Sequence, residues 1–184
     1  MKKTVLAICG STRSQSANLF IIQYIAAVLA NDVKMEVYDG LTQLPYFNPD
    51  LDKENAPPVV ETFRQKIASA DGILICTPEY VFSLPGVLKN AIEWCVSTTI
   101  FSEKPVALIT ASASGVAAHQ SLRLVMKTIY TDLRDDTQLL IQGAKGKIDP
   151  YGHVSDAITA GQLNALAHAF LDQLHQPLAN QTNG

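Results

Sequence analysis

Four short apolar runs recur along the chain: VLAIC (residues 5–9), GILIC (72–76), VALIT (106–110) and LLI (139–141). None of them alternates apolar with polar residues. A strand with one face in water must alternate, so these runs suit strands covered on both faces, the pattern of a parallel sheet. VKMEVYD (33–39) does alternate and suits a strand nearer the edge. Helical periodicity fills the gaps. Leu19, Ile22, Ala26 and Leu29 share a face, as do Val60, Phe63 and Ile67. Leu122, Val125, Met126 and Ile129 form a third stripe, and Leu163, Leu166, Phe170 and Leu174 a fourth. These are the i, i+3, i+4, i+7 spacings of amphipathic helices, and all four stripes read as core. Strict alternation of strand and helix implies an α/β, three-layer sandwich: a five-stranded parallel sheet with right-handed crossovers and helices on both faces. Five strands allow the order 2-1-3-4-5, which reverses direction between strands 1 and 3.

The 184 residues suffice for one domain, expected over residues 1–177, with the polar end at 178–184 a loose tail. A net charge of −3 without a basic block argues against nucleic acid as the main partner. No apolar stretch approaches the roughly 20 residues of a membrane span. Two lysines precede the first apolar run, as in a signal peptide, but a polar loop stands where a cleavage site would be. Three cysteines cannot all pair within the chain, which fits a reducing compartment and a cytoplasmic protein. No metal site is expected. One long segment, residues 40–58 with four prolines, is unusual enough to suggest a task, such as covering a ligand of a neighbouring subunit.

In such a sheet, ligands bind beyond the carboxyl ends of the strands at the switch point. Three informative loops fall there. CGSTRSQSAN (9–18) leaves the first run with one glycine, four hydroxyls at Ser11, Thr12, Ser14 and Ser16, the Arg13 fork and the Asn18 amide. It precedes a helix whose free N–H groups and dipole favour an anion. One serine would be enough to cap that helix, so the excess of donors around Ala17 favours a phosphate. TPEYVFSLPG (77–86) carries Glu79 and Tyr80 at the strand end, with Ser83 expected to cap the next helix. ASASGVAAH (111–119) is small enough for a flat ring to lie over it. G-x-x-x-x-G-K-[ST] and G-x-G-x-x-G are both absent. A phosphatase loop of the C-x5-R kind fails as well, because Arg13 lies four residues beyond Cys9, leaving Cys9 as a small strand residue.

Two stretches together resemble the NADPH-dependent FMN reductase family, whose fold is flavodoxin-like. Gly10, Ser11, Arg13, Ser16 and Asn18 match a G-S-x-R-x-x-S-x-N loop. Pro78, Glu79, Tyr80, Pro85, Gly86, Leu88, Lys89, Asn90, Ala91, Ile92, Glu93 and Trp94 match a P-E-Y-…-P-G-x-L-K-N-A-[IL]-[DE]-W stretch. The resemblance implies non-covalent FMN, with Ser11, Arg13, Ser16, Ala17 and Asn18 at its phosphate. Pro78, Glu79, Tyr80, Val81 and Phe82 would line the ring, with Ser112, Ser114 and Gly115 beside it. It also implies a homodimer or homotetramer, with Trp94 and Lys89 as interface candidates; a core tryptophan is equally open. Departures from the family pattern are Val81 where asparagine is common, and Ala117 and Ala118 where a glycine pair is common.

The implied activity is an oxidoreductase using NAD(P)H as co-substrate. Hydride passes from the nicotinamide to the flavin and then, by a ping-pong cycle, to a small acceptor such as a quinone, azo compound, chromate or free flavin. No catalytic protein nucleophile is required. His119 is a possible proton donor, although a plain first-turn helix residue is the favoured reading. The rivals are a flavodoxin-like electron carrier and, further off, a low-molecular-weight phosphatase-like hydrolase.

Overall fold

Three of the unalternating apolar runs form the inner strands of one sheet in the computed structural model, which describes residues 1–52, 56–149 and 151–176. The fourth, LLI, lies in an edge strand where only Ile141 is buried, because no neighbouring strand covers its outer side. The tail expected at 178–184 lies outside the described residues. Strands β1 (Lys3–Cys9), β2 (Val33–Tyr38), β3 (Gly72–Thr77), β4 (Val106–Ser112) and β5 (Gln138–Gln142) alternate with five helices. These are α1 (Ala17–Val28), α2 (Pro58–Ser69), α3 (Gly86–Glu93), α4 (Val116–Thr128) and α5 (Ala157–His175). All strand pairs are parallel, in the order β2-β1-β3-β4-β5. β3 is buried at every position, as its sequence demands, whereas the alternating β2 forms one edge.

The chain moves one way from β1 to β2 and the other way thereafter. Right-handed crossovers therefore place α1 on the face opposite α2, α3 and α4. Each face has its own core. Phe63, Ile75, Leu88, Trp94 and Leu122 belong to one, and Ile21, Ile25, Leu74, Leu163 and Phe170 to the other. Each such side chain, fully buried, contributes about 1.5–3 kcal/mol. The stripes of α2 and α5 are buried as expected. The stripe of α1 is rotated: Ile21, Ile22 and Ile25 are buried, while Leu19 and Ala26 are only half-buried. Residues 19–22 are all apolar, so periodicity alone did not fix which of them faces the sheet.

The proline-bearing segment packs on helix α3 of its own chain. It forms two short 3-10 turns, Leu41–Gln43 and Pro49–Leu51. The Asn90 side chain accepts from Phe47 N at 2.7 Å and donates to Pro45 O at 2.9 Å. Trp94 Nε1 donates to the same carbonyl at 2.7 Å, and the Phe47 ring stands edge-on to the indole at 5.2 Å. Arg64 pairs with Asp52 and Glu61 and donates Nε–H to Trp94 O at 2.8 Å. Trp94 is thus fully buried in the core, which removes it as an interface residue; Lys89 is exposed and pairs with Glu93 at 2.6 Å. Among the described residues, no helix is long and apolar enough to cross a membrane, and no cluster of ligating side chains could hold a metal ion.

Candidate active site

The three loops lie at the carboxyl ends of β1, β3 and β4, which are neighbours, and hydrogen bonds tie them together. Gly10 N donates to Cys76 O at 2.8 Å, fixing the turn that leaves β1. A β-carbon on Gly10 would lie 2.3 Å from Thr77 Oγ1 and 2.8 Å from Thr77 Cβ, so only glycine fits there. Ser16 caps α1, its Oγ accepting from Asn18 N at 3.2 Å. Ser11 is buried and its Oγ accepts from Arg13 N at 3.4 Å. Ala17 opens the helix. Thr12, Arg13 and Ser14 are exposed, and among the described residues the Arg13 guanidinium has no partner. The first turn of α1 contains no acidic residue. A free guanidinium with hydroxyls at an uncompensated helix amino end suits an anion.

Asn18 stands differently from a free phosphate donor. It is buried, its Nδ2 donates to Ala111 O at 3.3 Å, and its Oδ1 receives Cys76 Sγ at 3.3 Å. The amide therefore stitches α1 to the ends of β3 and β4. Cys9 is half-buried, with its thiol directed at Ser11 O, and burial pushes its pKa up. A phosphatase nucleophile needs the opposite, a stabilised thiolate.

In the second loop, Pro78 is buried and Glu79 reaches across to the third. Its carboxylate accepts from Gly115 N at 3.1 Å and Ala118 N at 3.0 Å. Gly115 is the N-cap of α4, has φ +82° and lacks a capping side chain. Glu79 supplies the cap from another loop, and the N–H of Ala118, foremost, holds its pKa below the ordinary carboxylate value. Ser83 does not cap α3, whose N-cap is Pro85. Instead Tyr80 and Ser83 exchange two backbone hydrogen bonds of 3.0 Å, closing a tight turn with Val81 and Phe82 at its tip. Both tip residues have positive φ, 51° and 55°, and both are exposed. Tyr80 is exposed below them.

The third loop holds half-buried Ser112 and exposed Ser114, and Ala113 O accepts from Gly143 N at 3.1 Å. His119 turns inward, its Nδ1 2.9 Å from Thr110 Oγ1, and burial foremost lowers its pKa. The sequence did not reveal a cavity of about 250 Å3 on the β2 side of the first loop, bounded by Arg13, Leu19, Val37, Tyr38, Asp39 and Thr42. The available signal was modest: an aspartate directly after an edge strand.

Comparison with known proteins agrees with this arrangement. The family model described as NADPH-dependent FMN reductase matches residues 3–143. An NAD(P)H-dependent FMN reductase of Pseudomonas aeruginosa is 34% identical over 157 residues, covering 83% of this chain and 84% of the relative. A 2-hydroxy-1,4-benzoquinone reductase of a Burkholderia species is 34% identical over 160 residues, 84% of this chain and 86% of the relative. The solved structure of FerB, a flavoenzyme NAD(P)H:(acceptor) oxidoreductase from Paracoccus denitrificans, superposes with a TM-score of 0.84 at 28% identity, covering 96% of this chain and 100% of that one. With the family model spanning most of the sheet and the three loops, the chain belongs to the NADPH-dependent FMN reductase family, and is an oxidoreductase that works with FMN and a nicotinamide cofactor.

Proposed function

We propose that the chain passes reducing equivalents from NAD(P)H to a small acceptor of the quinone class, with FMN held at the three-loop edge. The acceptor class is supported by the relatives named as quinone reductases. The observation that carries the reading is the unpartnered Arg13 guanidinium at an amino helix end free of acidic groups, within loops cross-tied by Asn18 and Glu79. That donor set fits a phosphate monoester.

In this reading, Ser11, Arg13, Ser16 and Ala17 hold the phosphate through side-chain and backbone donors. Asn18 keeps the loop against β3 and β4. Pro78, Glu79, Tyr80, Val81 and Phe82 form one wall for the ring; Ser112, Ser114 and Gly115 form the other. When bound, FMN would supply the redox chemistry, and these residues would leave room beside it for the nicotinamide and the acceptor in turn, as in a ping-pong cycle. Glu79, bonded to the α4 amino end, fixes the spacing of the two walls. The hairpin tip excludes water from one side with two apolar side chains. His119, bonded to Thr110, stays neutral near neutral pH and acts as a packing residue.

A homodimer or homotetramer belongs to the same proposal. Exposed Leu124 on α4 and exposed Tyr130 just after it offer a second copy an apolar surface; a monomeric mass by light scattering would remove that part. The deciding experiment is an anaerobic absorbance titration of FMN-loaded protein. NADH or NADPH should bleach the yellow colour and a benzoquinone restore it. A protein that binds FMN but stays yellow with either nucleotide would be an electron carrier, and a folded protein that takes up no FMN would overturn the site.

A further inference from the structure

We propose that the cavity between the first loop and the end of β2 receives the adenosine ribose of the nicotinamide dinucleotide, and that Asp39 there selects NADH over NADPH. The proposal rests on the functional reading above. The cavity lies on the opposite side of the first loop from β3 and β4, away from the walls assigned to the flavin ring. It adjoins the phosphate site, sharing Ser11 and Arg13 with it, while Leu19, Val37, Tyr38, Asp39 and Thr42 lie outside that site. Its volume of about 250 Å3 is below the roughly 300–1,000 Å3 of pockets that enclose whole drug-sized ligands, which suits one half of a dinucleotide.

The lining has the chemistry of a nucleoside site. Leu19, Val37 and Tyr38 give an apolar floor. Arg13 borders the cavity but is committed to the FMN phosphate in the reading above, so it adds positive charge at the cavity's rim and is not counted as a base contact. Thr42 adds a hydroxyl. Asp39 is exposed, follows β2 directly and has no ion-pair or hydrogen-bond partner among the described residues. A carboxylate has two acceptor oxygens and no donor, so it matches the vicinal hydroxyls of a ribose and repels a 2′-phosphate. A carboxylate at the end of the second strand reads the ribose 2′-hydroxyl in dinucleotide-binding α/β sheets for the same reason. Reach is adequate: β2 and β4 are three strand spacings of about 4.8 Å apart, so an extended dinucleotide anchored at Asp39 places its nicotinamide over the second and third loops.

The test uses the FMN-loaded enzyme. Steady-state rates with NADH and NADPH give the ratio of kcat/KM for wild type, Asp39→Asn and Asp39→Ser. Wild type should favour NADH by about tenfold or more, the worth of one hydrogen bond to a charged group. Both variants should shift the ratio toward NADPH by about the same factor, with the change carried by KM. Calorimetry with ADP-ribose as probe should show weaker binding to Asp39→Asn than to wild type, while FMN affinity, read by flavin fluorescence, stays the same. A yellow enzyme that both nucleotides reduce, yet which prefers NADPH or keeps its ratio in both variants, overturns the Asp39 proposal and leaves the functional reading standing. Loss of FMN binding or of nucleotide bleaching in wild type is the separate failure of that reading.

Discussion

The hairpin tip of the second loop offers the sharpest physical test. Val81 and Phe82 both occupy the left-handed region, with φ of 51° and 55°, in a two-residue turn closed by Tyr80 and Ser83. A turn with positive φ at both central positions is the one for which Asn-Gly is preferred. For L-residues that conformation costs roughly 1–2 kcal/mol each, most for a β-branched valine. Little burial offsets the strain, because Val81 is 95% and Phe82 79% exposed. Asparagine at 81 should recover about 1 kcal/mol. Glycine at 82 should recover a similar strain, less about 0.5–1 kcal/mol of added chain entropy. The Val81→Asn/Phe82→Gly protein should therefore be about 1–1.5 kcal/mol more stable, a rise in Tm of about 2–6 °C for a chain of this size. Differential scanning calorimetry of the FMN-free protein checks this, with urea unfolding as the second measure. On the proposal that the apolar tip walls the flavin site, the acceptor KM should rise, in keeping with strain being retained at functional loops. An unchanged or lower Tm would refute the strain argument, because the native side chains would then be gaining more from packing than their backbone loses.

Gly10→Ala should destabilise by about 1–3 kcal/mol, through a β-carbon 2.8 Å from Thr77 Cβ that no rotamer change relieves; a shift under 0.5 °C in Tm would contradict the close approach. Arg64→Met should cost about 3 kcal/mol or more, because it strands the nearly buried Asp52 carboxylate, and limited proteolysis should then cut within residues 40–52; resistance equal to wild type would show that Arg64 does not pin the segment. Burial foremost, with Arg123 nearby, lowers the His119 pKa from its ordinary 6.5. The unfolded chain thus binds a proton that the folded chain refuses, so this contribution is fully present above pH 6.5 and is lost as pH falls below it. His119→Gln should flatten that limb of a Tm–pH profile, and an unaltered slope would remove His119 as its source.

Much was legible from the chain alone, for identifiable reasons. Strand positions follow from runs such as GILIC, because a strand covered on both faces has no use for polar alternation. The parallel sheet and its order follow from the strand–helix alternation and the fixed hand of the crossovers. The proposal of an anion site at the first loop came from local composition, since donors and a glycine bend beside a helix start are neighbours in sequence. Tertiary structure alone decided the partners of individual groups. Asn18 looks like a phosphate donor until Ala111 O and Cys76 Sγ engage its amide. Glu79 caps a helix 36 residues onward, while Ser83, the local candidate for capping α3, closes a turn instead. Trp94 is buried because residues 45–47 fold back over it. Asp39 borders a cavity only because β2 lies beside β1. Periodicity and composition record what a residue does within its own segment; which groups meet across the sheet edge depends on packing in three dimensions, which no local pattern encodes.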